Sequence, residues 1–286
     1  MTATTKSYDS VKVRQTEIDK LIGATTPKVG RHRRPQPSGI NQWWVLTSRF
    51  VRRMIRHHEL TVAIVAPLIF TLGFYLPLKF VMSMQGIDYA QFLMPIIVLQ
   101  AMAFTAISAA QLASTESITG FSTRMQTMPV VGPVPLLARM SSAVVRSLVS
   151  LAAALVYGYV IGFRFNAGLE QAFMFCALAM SFAIAFAFAG DAIGSMSKSP
   201  AATSQILTLP QLILGMLSCG FVPETGFPEW IRPFVRNQPV SQYSYAMRDL
   251  AQGSATWDVL FPAIAWTVGL LAVCVPWAYW ASLRRK

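Results

Sequence analysis

The chain has 286 residues, of which 54% are hydrophobic and 13% charged, with 24 Lys and Arg against 12 Asp and Glu. A soluble domain carries about 25% charged residues, so this composition excludes an ordinary soluble enzyme and predicts an all-α integral membrane protein. The net charge of +12 does not point to nucleic acid, because the basic residues gather at one side of a series of apolar runs.

Residues 1–40 are rich in Thr, Lys, Arg and Pro and include the basic cluster Arg31, Arg33 and Arg34. With no sustained apolar period, they are expected to form a flexible cytoplasmic tail. Over 41–58, Trp43, Trp44, Thr47, Phe50, Val51, Met54 and Ile55 share one helical face, and Arg49, Arg52, Arg53 and Arg56 take the other. Such a basic amphipathic helix belongs in the plane of the cytoplasmic leaflet, in contact with membrane lipids. The first long apolar run starts near residue 60, too late and too long for a cleavable leader, so no signal peptide is expected.

Residues 59–286 are read as one transmembrane domain with six spans, at 60–81, 89–113, 142–163, 171–195, 204–221 and 260–282. Each run is long enough to cross about 30 Å of hydrocarbon as a helix. With the amino terminus inside, 19 Lys and Arg fall on the cytoplasmic side and 5 outside; setting the amino-terminal segment aside leaves 7 against 5. The bias predicts a multi-pass protein of the cytoplasmic membrane with both termini in the cytoplasm.

The second span carries a stripe of Gln100, Phe104, Ser108 and Gln111, which fall within about 80° of one another on a helical wheel. The fifth carries Thr208, Gln211, Gly215 and Ser218, with Pro210 expected to bend it. Small and amide-bearing residues on one face of a membrane helix either join helices or line a path, and both readings stand. Between the second and third spans, Ser114 or Thr115 can cap a short cytoplasmic helix with Glu116 in its first turn, stopped by Pro129. Two ionisable residues, Arg146 and Asp191, fall inside predicted spans at similar depth. Because an unpaired charge in hydrocarbon is costly, they are expected to form an intramembrane ion pair.

Segment 221–253, before the last span, is too polar to cross a bilayer and too apolar to float free. Pro228 and Pro239 each preset the start of a helix, and Gly253 suits the left-handed residue after one. The expectation is an extracellular re-entrant pair. The first piece carries Trp230 and Ile231. In the second, Val240, Tyr243, Met247 and Leu250 recur at helical spacing, with Ser244, Arg248 and Gln252 on another side.

Catalytic machinery is not expected. All three histidines precede the first span, the phosphate-binding loop G-x-x-x-x-G-K-[ST] is missing, and Cys176, Cys219 and Cys274 have no metal-ligand spacing. No cofactor or metal is expected on this chain.

The order of these parts resembles the membrane subunits of type 2 ABC exporters. Pro228, Trp230, Pro239 and Arg248 match that family's P-x-W, N-P and aliphatic-R-x-L pattern, with Gln238 in place of Asn. Glu116, Gly120, Arg124, Met128 and Pro129 resemble its cytoplasmic coupling segment, here 114–135. The stretches QWWVLTSRF, APLIFTLGFYLP, YVIGFRF and WIRPFVRNQPVSQ are similar to the daunorubicin-resistance subgroup, and to its relatives that export phthiocerol dimycocerosate. The resemblance implies a non-enzymatic half-transporter for a hydrophobic or amphipathic compound, either a complex cell-envelope lipid or an antibiotic-like drug. It further implies two separate ATPase subunits that carry ATP and Mg, and a second permease, either a sister chain or a second copy. The stripes would then enclose a substrate path, and Pro228, Trp230, Pro239, Arg248 and Asp249 would form an outer gate. Two alternatives belong to other classes: a proton-coupled secondary carrier using Asp191, and a non-transporting membrane scaffold.

Overall fold

The structure is a computed structural model and describes residues 38–84, 88–120, 125 and 130–283. The regular structure among the described residues is helical, and five helices are long and apolar enough to cross a membrane. In chain order the helices are α1 (Gly39–Arg56), α2 (Glu59–Ser83), α3 (Tyr89–Ile118), α4 (Val134–Ile161), α5 (Leu169–Met196), α6 (Pro200–Met216), α7 (Arg232–Asn237), α8 (Pro239–Gln252) and α9 (Trp257–Leu283). The five long apolar ones are α2, α3, α4, α5 and α9; α6, in the run expected to be the fifth span, has 17 residues.

α3 is the axis of the bundle. Its start is set by Asp88, whose Oδ1 accepts from the amides of Ala90 and Gln91, satisfying donors that a helix N-terminus leaves open. From Leu93 to Ala103 it is enclosed on nearly every side, by α2, α4, α5, α6 and α8. By contrast α9 is largely exposed, with Phe261, Val268 and Val273 turned outward. Large apolar side chains on the outside and a helix enclosed within are the arrangement of an integral membrane bundle, where lipid covers the periphery.

The tightest packing is between α3 and α5. Gly190 and Gly194 lie one turn apart on α5, and a Cβ on either would run into the carbonyl oxygens of Ala106 and Ala110 on α3. Pairing of small residues four apart lets two backbones approach closely, and it substitutes for the hydrophobic drive that lipid does not supply. The larger core lies beyond this contact, where Met94, Ile97, Met102, Phe175, Phe182, Tyr243 and Met247 pack together. α1 rests across the other end. Phe50 packs with Leu112 and Ala138, the Trp43 indole donates to Ser141 Oγ at 2.9 Å, and Gln42 Oε1 accepts from the amide of Val131.

Three sequence expectations are corrected by these boundaries. α3 does not stop at residue 113 but runs to Ile118. Ser114, Thr115 and Glu116 therefore close a long helix instead of opening a short one. The reason is local: Thr115 Oγ1 donates back to Gln111 O within the helix, and the chain leaves through Gly120 at φ 66°. α4 begins at Val134, eight residues before the expected 142, because Pro133 and Pro135 preset its first turn. In the segment before the last helix, the first piece opens at Arg232 and not at Pro228, so Trp230 sits in the turn ahead of α7.

Candidate functional site

The residues singled out in the sequence fall at three levels along α3. At its carboxyl end Glu116 is buried against Arg139 of α4, which also holds Asp191 of α5. Arg139 Nε donates to Asp191 Oδ1 at 2.6 Å, Nη2 to Asp191 Oδ2 at 3.0 Å, and Nη1 to Glu116 Oε2 at 3.3 Å. The three side chains are only 4%, 5% and 0% exposed for Arg139, Glu116 and Asp191. A bidentate guanidinium–carboxylate pair is directional as well as strong, so it fixes how α4 and α5 meet beneath the end of α3.

This overturns the expected pairing of Arg146 with Asp191. Arg146 Nη2 instead donates to Glu59 Oε2, tying α4 to the first turn of α2. Counting depth from the observed ends explains the change. Arg139 is five residues past the start of α4 and Asp191 five before the end of α5. Arg146 is two turns deeper on the same face. Sequence reasoning missed Arg139 because it was assigned to a loop; its seven-residue spacing from Arg146 was the available signal.

Beyond Glu116, Gly120 forms the left-handed exit of α3. Arg124, Met128 and Pro129, the rest of the expected coupling residues, lie outside the described residues.

At the middle level the two polar stripes face each other within one chain. Gln211 Nε2 donates to Gln100 Oε1 at 3.2 Å, the Gln111 amide donates to Ser204 Oγ, and Gly215 leaves its space to the Gln100 amide. Ser108 and Thr208 turn their hydroxyls back to Phe104 O and Ser204 O, and Ser218 returns to Gly215 O just past α6. Phe104 leans on Phe70 of α2 with ring centroids 5.4 Å apart. Toward the Glu116 end the seam opens, and Gln111 is exposed. Beside Gln100 and Gln211 there remains only a void of about 10 Å³, the size of a single water.

At the amino-terminal end of α3, the residues expected to form an outer gate separate into two groups. Pro228 and Trp230 are exposed, Trp230 at 81%. Pro239 is the first residue of α8, and Gly253 follows that helix at φ 85°. Arg248 and Asp249 ride on α8, whose Tyr243, Ala246, Met247 and Leu250 are buried against α3, α5 and α9. The Arg248 guanidinium stacks 3.7 Å from the Phe92 ring centroid, and its Nη2 donates to Phe92 O at 3.1 Å and to Cys219 O at 3.3 Å. Burial lowers Arg248 to about 10 despite the neighbouring Tyr245, Cys219 and Asp249, and raises Asp249 against the opposing effect of Arg248.

Residues 41–251 match the family described as ABC-2 type transporter. The chain belongs to this family. Among its relatives, the doxorubicin resistance ABC transporter permease protein DrrB of Mycobacterium tuberculosis is 38% identical over 81% of this chain and 85% of its own length. The daunorubicin resistance ABC transporter permease protein DrrB1 of Streptomyces coeruleorubidus is 29% identical over 76% and 77%. The probable doxorubicin resistance ABC transporter permease protein DrrC of M. tuberculosis is 32% identical over 54% and 56%. This places the chain in the drug-resistance permease subgroup, as a multi-pass membrane transport subunit. In this permease α3 therefore touches the charged cluster at one end, the polar seam with α6 in the middle, and the α8 segment at the other.

Proposed function

We propose that this permease is the membrane half of an ATP-driven exporter that moves a hydrophobic or amphipathic compound outward across the cytoplasmic membrane. The observation that carries the reading is the continuity of α3 from the α8 contact at Phe92 to the buried Glu116–Arg139–Asp191 cluster, whose Glu116 belongs to segment 114–135. A push on that segment by an ATPase subunit is transmitted through a single rigid helix to the far end, a two-state motion of packed helices. Two ATPase subunits carrying ATP and Mg, and a second permease, either a sister chain or another copy, complete the machine. Both termini are cytoplasmic, and α6, about 25 Å long, crosses together with residues 217–221 as a sixth span. Exposed Ile40, Trp44 and Ile55 on α1 suit contact with the cytoplasmic leaflet. The Gln100 to Gln111 stripe and its α6 partner line the path when the seam parts, and the α8 segment with Pro228 and Trp230 gates the exit. The cargo is a complex cell-envelope lipid or an antibiotic-like drug; the relatives' drug-resistance names favour testing a drug first.

The proton-coupled alternative is weakened by Asp191, since Arg139 occupies both of its carboxylate oxygens. The deciding experiment reconstitutes the full chain with its ATPase and sister permease in inverted vesicles, then measures uptake of doxorubicin and of a long-chain diacyl lipid. Uptake of either that requires ATP and stops when the ATPase's catalytic carboxylate is replaced supports the exporter. Uptake driven by a pH gradient without ATP overturns it in favour of a carrier, and no uptake under either condition leaves a scaffold.

A further inference from the structure

Asp88, Gln91 and Phe92 at the start of α3, Asn166 before α5, and Arg248 and Gln252 on α8 line a cavity of about 410 Å³ that opens to the surroundings. That volume is within the roughly 300–1,000 Å³ typical of small-molecule sites. Its wall combines one cation, one carboxylate, three amides and one ring. Two polar atoms of these residues are buried just behind the wall without a hydrogen-bond partner: Gln91 Oε1 and Arg248 Nε. The Gln91 amide is oriented by its Nε2, which donates to the carbonyl of Arg164 at 2.9 Å. Its orphan atom is therefore an acceptor, while the orphan on Arg248 is a donor.

That combination selects a chemistry. A phosphate or carboxylate satisfies the guanidinium donor but not the Gln91 acceptor, and Asp88 opposes its charge. A lone cation satisfies the acceptor and meets Arg248 as a like charge. A hydroxyl donates and accepts, and several hydroxyls on one ring also suit the exposed amides of Asn166 and Gln252. We infer that this cavity binds an uncharged polyhydroxylated group of sugar type. In this proposal the Arg248 side chain turns off the Phe92 ring on binding, which uncovers its Nε and the Gln91 amide oxygen to the ligand. The orientation of the site, on the outer side next to the gate, rests on the exporter reading; its chemistry does not.

The test uses the full chain in lipid nanodiscs without the ATPase, photolabelled with an octyl glucoside carrying a diazirine in its alkyl chain. The control probe has the same chain ending in phosphate. The expected result is labelling of peptides containing 88–92 or 248–252, at least fivefold stronger for the glucoside. Asn166→Ala combined with Gln252→Ala, both at exposed positions, should lower it severalfold, and Gln91→Leu should lower it further. Competition by millimolar glucose identifies a free sugar as the ligand's source; competition by unlabelled octyl glucoside alone identifies a glycosylated amphiphile. Equal labelling by the phosphate probe overturns the inference, as does labelling indifferent to the Asn166/Gln252 variant in protein of unchanged gel-filtration profile. Loss of ATP-driven uptake with the labelling intact would remove the exporter reading and leave the site standing.

Discussion

Arg139 and Arg248 grip α3 near opposite ends by different means. Arg139 spends its guanidinium on two carboxylates inside a dry cluster, while Arg248 holds two backbone carbonyls and an aromatic face and leaves Nε unpartnered. The difference is one of tolerance to movement. A bidentate ion pair in low dielectric loses much of its attraction if it slips, and the exposed charges then meet an apolar interior. A stacked guanidinium can slide over a ring and exchange one carbonyl for another at smaller cost. Next to Arg139, moreover, the glycines of α5 clamp the α3 backbone, whereas Arg248 stands above a solvent-open cavity. On the proposed exporter reading, the Arg139 end of α3 keeps its register and the Arg248 end adjusts.

The largest effect is expected where the charges are buried. Arg139→Met leaves two carboxylates uncompensated and should cost about 3–5 kcal/mol, read as loss of the monodisperse peak in fluorescence-detected gel filtration. Adding Glu116→Gln and Asp191→Asn to it should restore part of that peak; no recovery would mean that the cluster's shape, not its charge balance, holds the end together. Gly194→Leu comes next. The side chain must force α3 and α5 apart, a strain of about 1–3 kcal/mol or more, and the melting midpoint in detergent should fall by several degrees while the ion pairs persist. The smallest loss is expected for Arg248→Met, which keeps the packing on Phe92 and forfeits about 1–2 kcal/mol of hydrogen bonding. Its melting midpoint should fall by only a few degrees, less than that of Gly194→Leu, while transport changes. If Arg248→Met unfolds the permease as readily as Arg139→Met, the contrast between a fixed and an adjustable end is wrong.

Much of this was legible before the structure, wherever the cause is local. Long apolar runs mark the helices, since a chain in hydrocarbon must satisfy its own backbone. Pro239 and Gly253 bracket α8 because proline presets a helix start and glycine accepts the left-handed exit at φ 85°. The spacing of Gln100, Phe104, Ser108 and Gln111 places them on one face whatever surrounds them. Where α3 and α4 begin and end was less legible. Ser114 and Thr115 can cap a new helix or continue an old one, and residue types alone do not say that Thr115 bonds back to Gln111 O and carries the helix on to Ile118.

Partner choice lay beyond the sequence altogether. Nothing in the order of residues states that the α3 stripe meets the α6 stripe in the same chain, or that Asp191 takes Arg139 and leaves Arg146 to Glu59. Nor does it state that residues as distant as Asp88, Asn166 and Gln252 share one cavity. The sequence by itself determined which segments are helical and which of their faces are polar, because backbone bonding and side-chain periodicity act over a few residues. Only the tertiary structure decided which faces meet and at what register, because that depends on how closely α3 and α5 can approach, and the missing side chains of Gly190 and Gly194 set that distance.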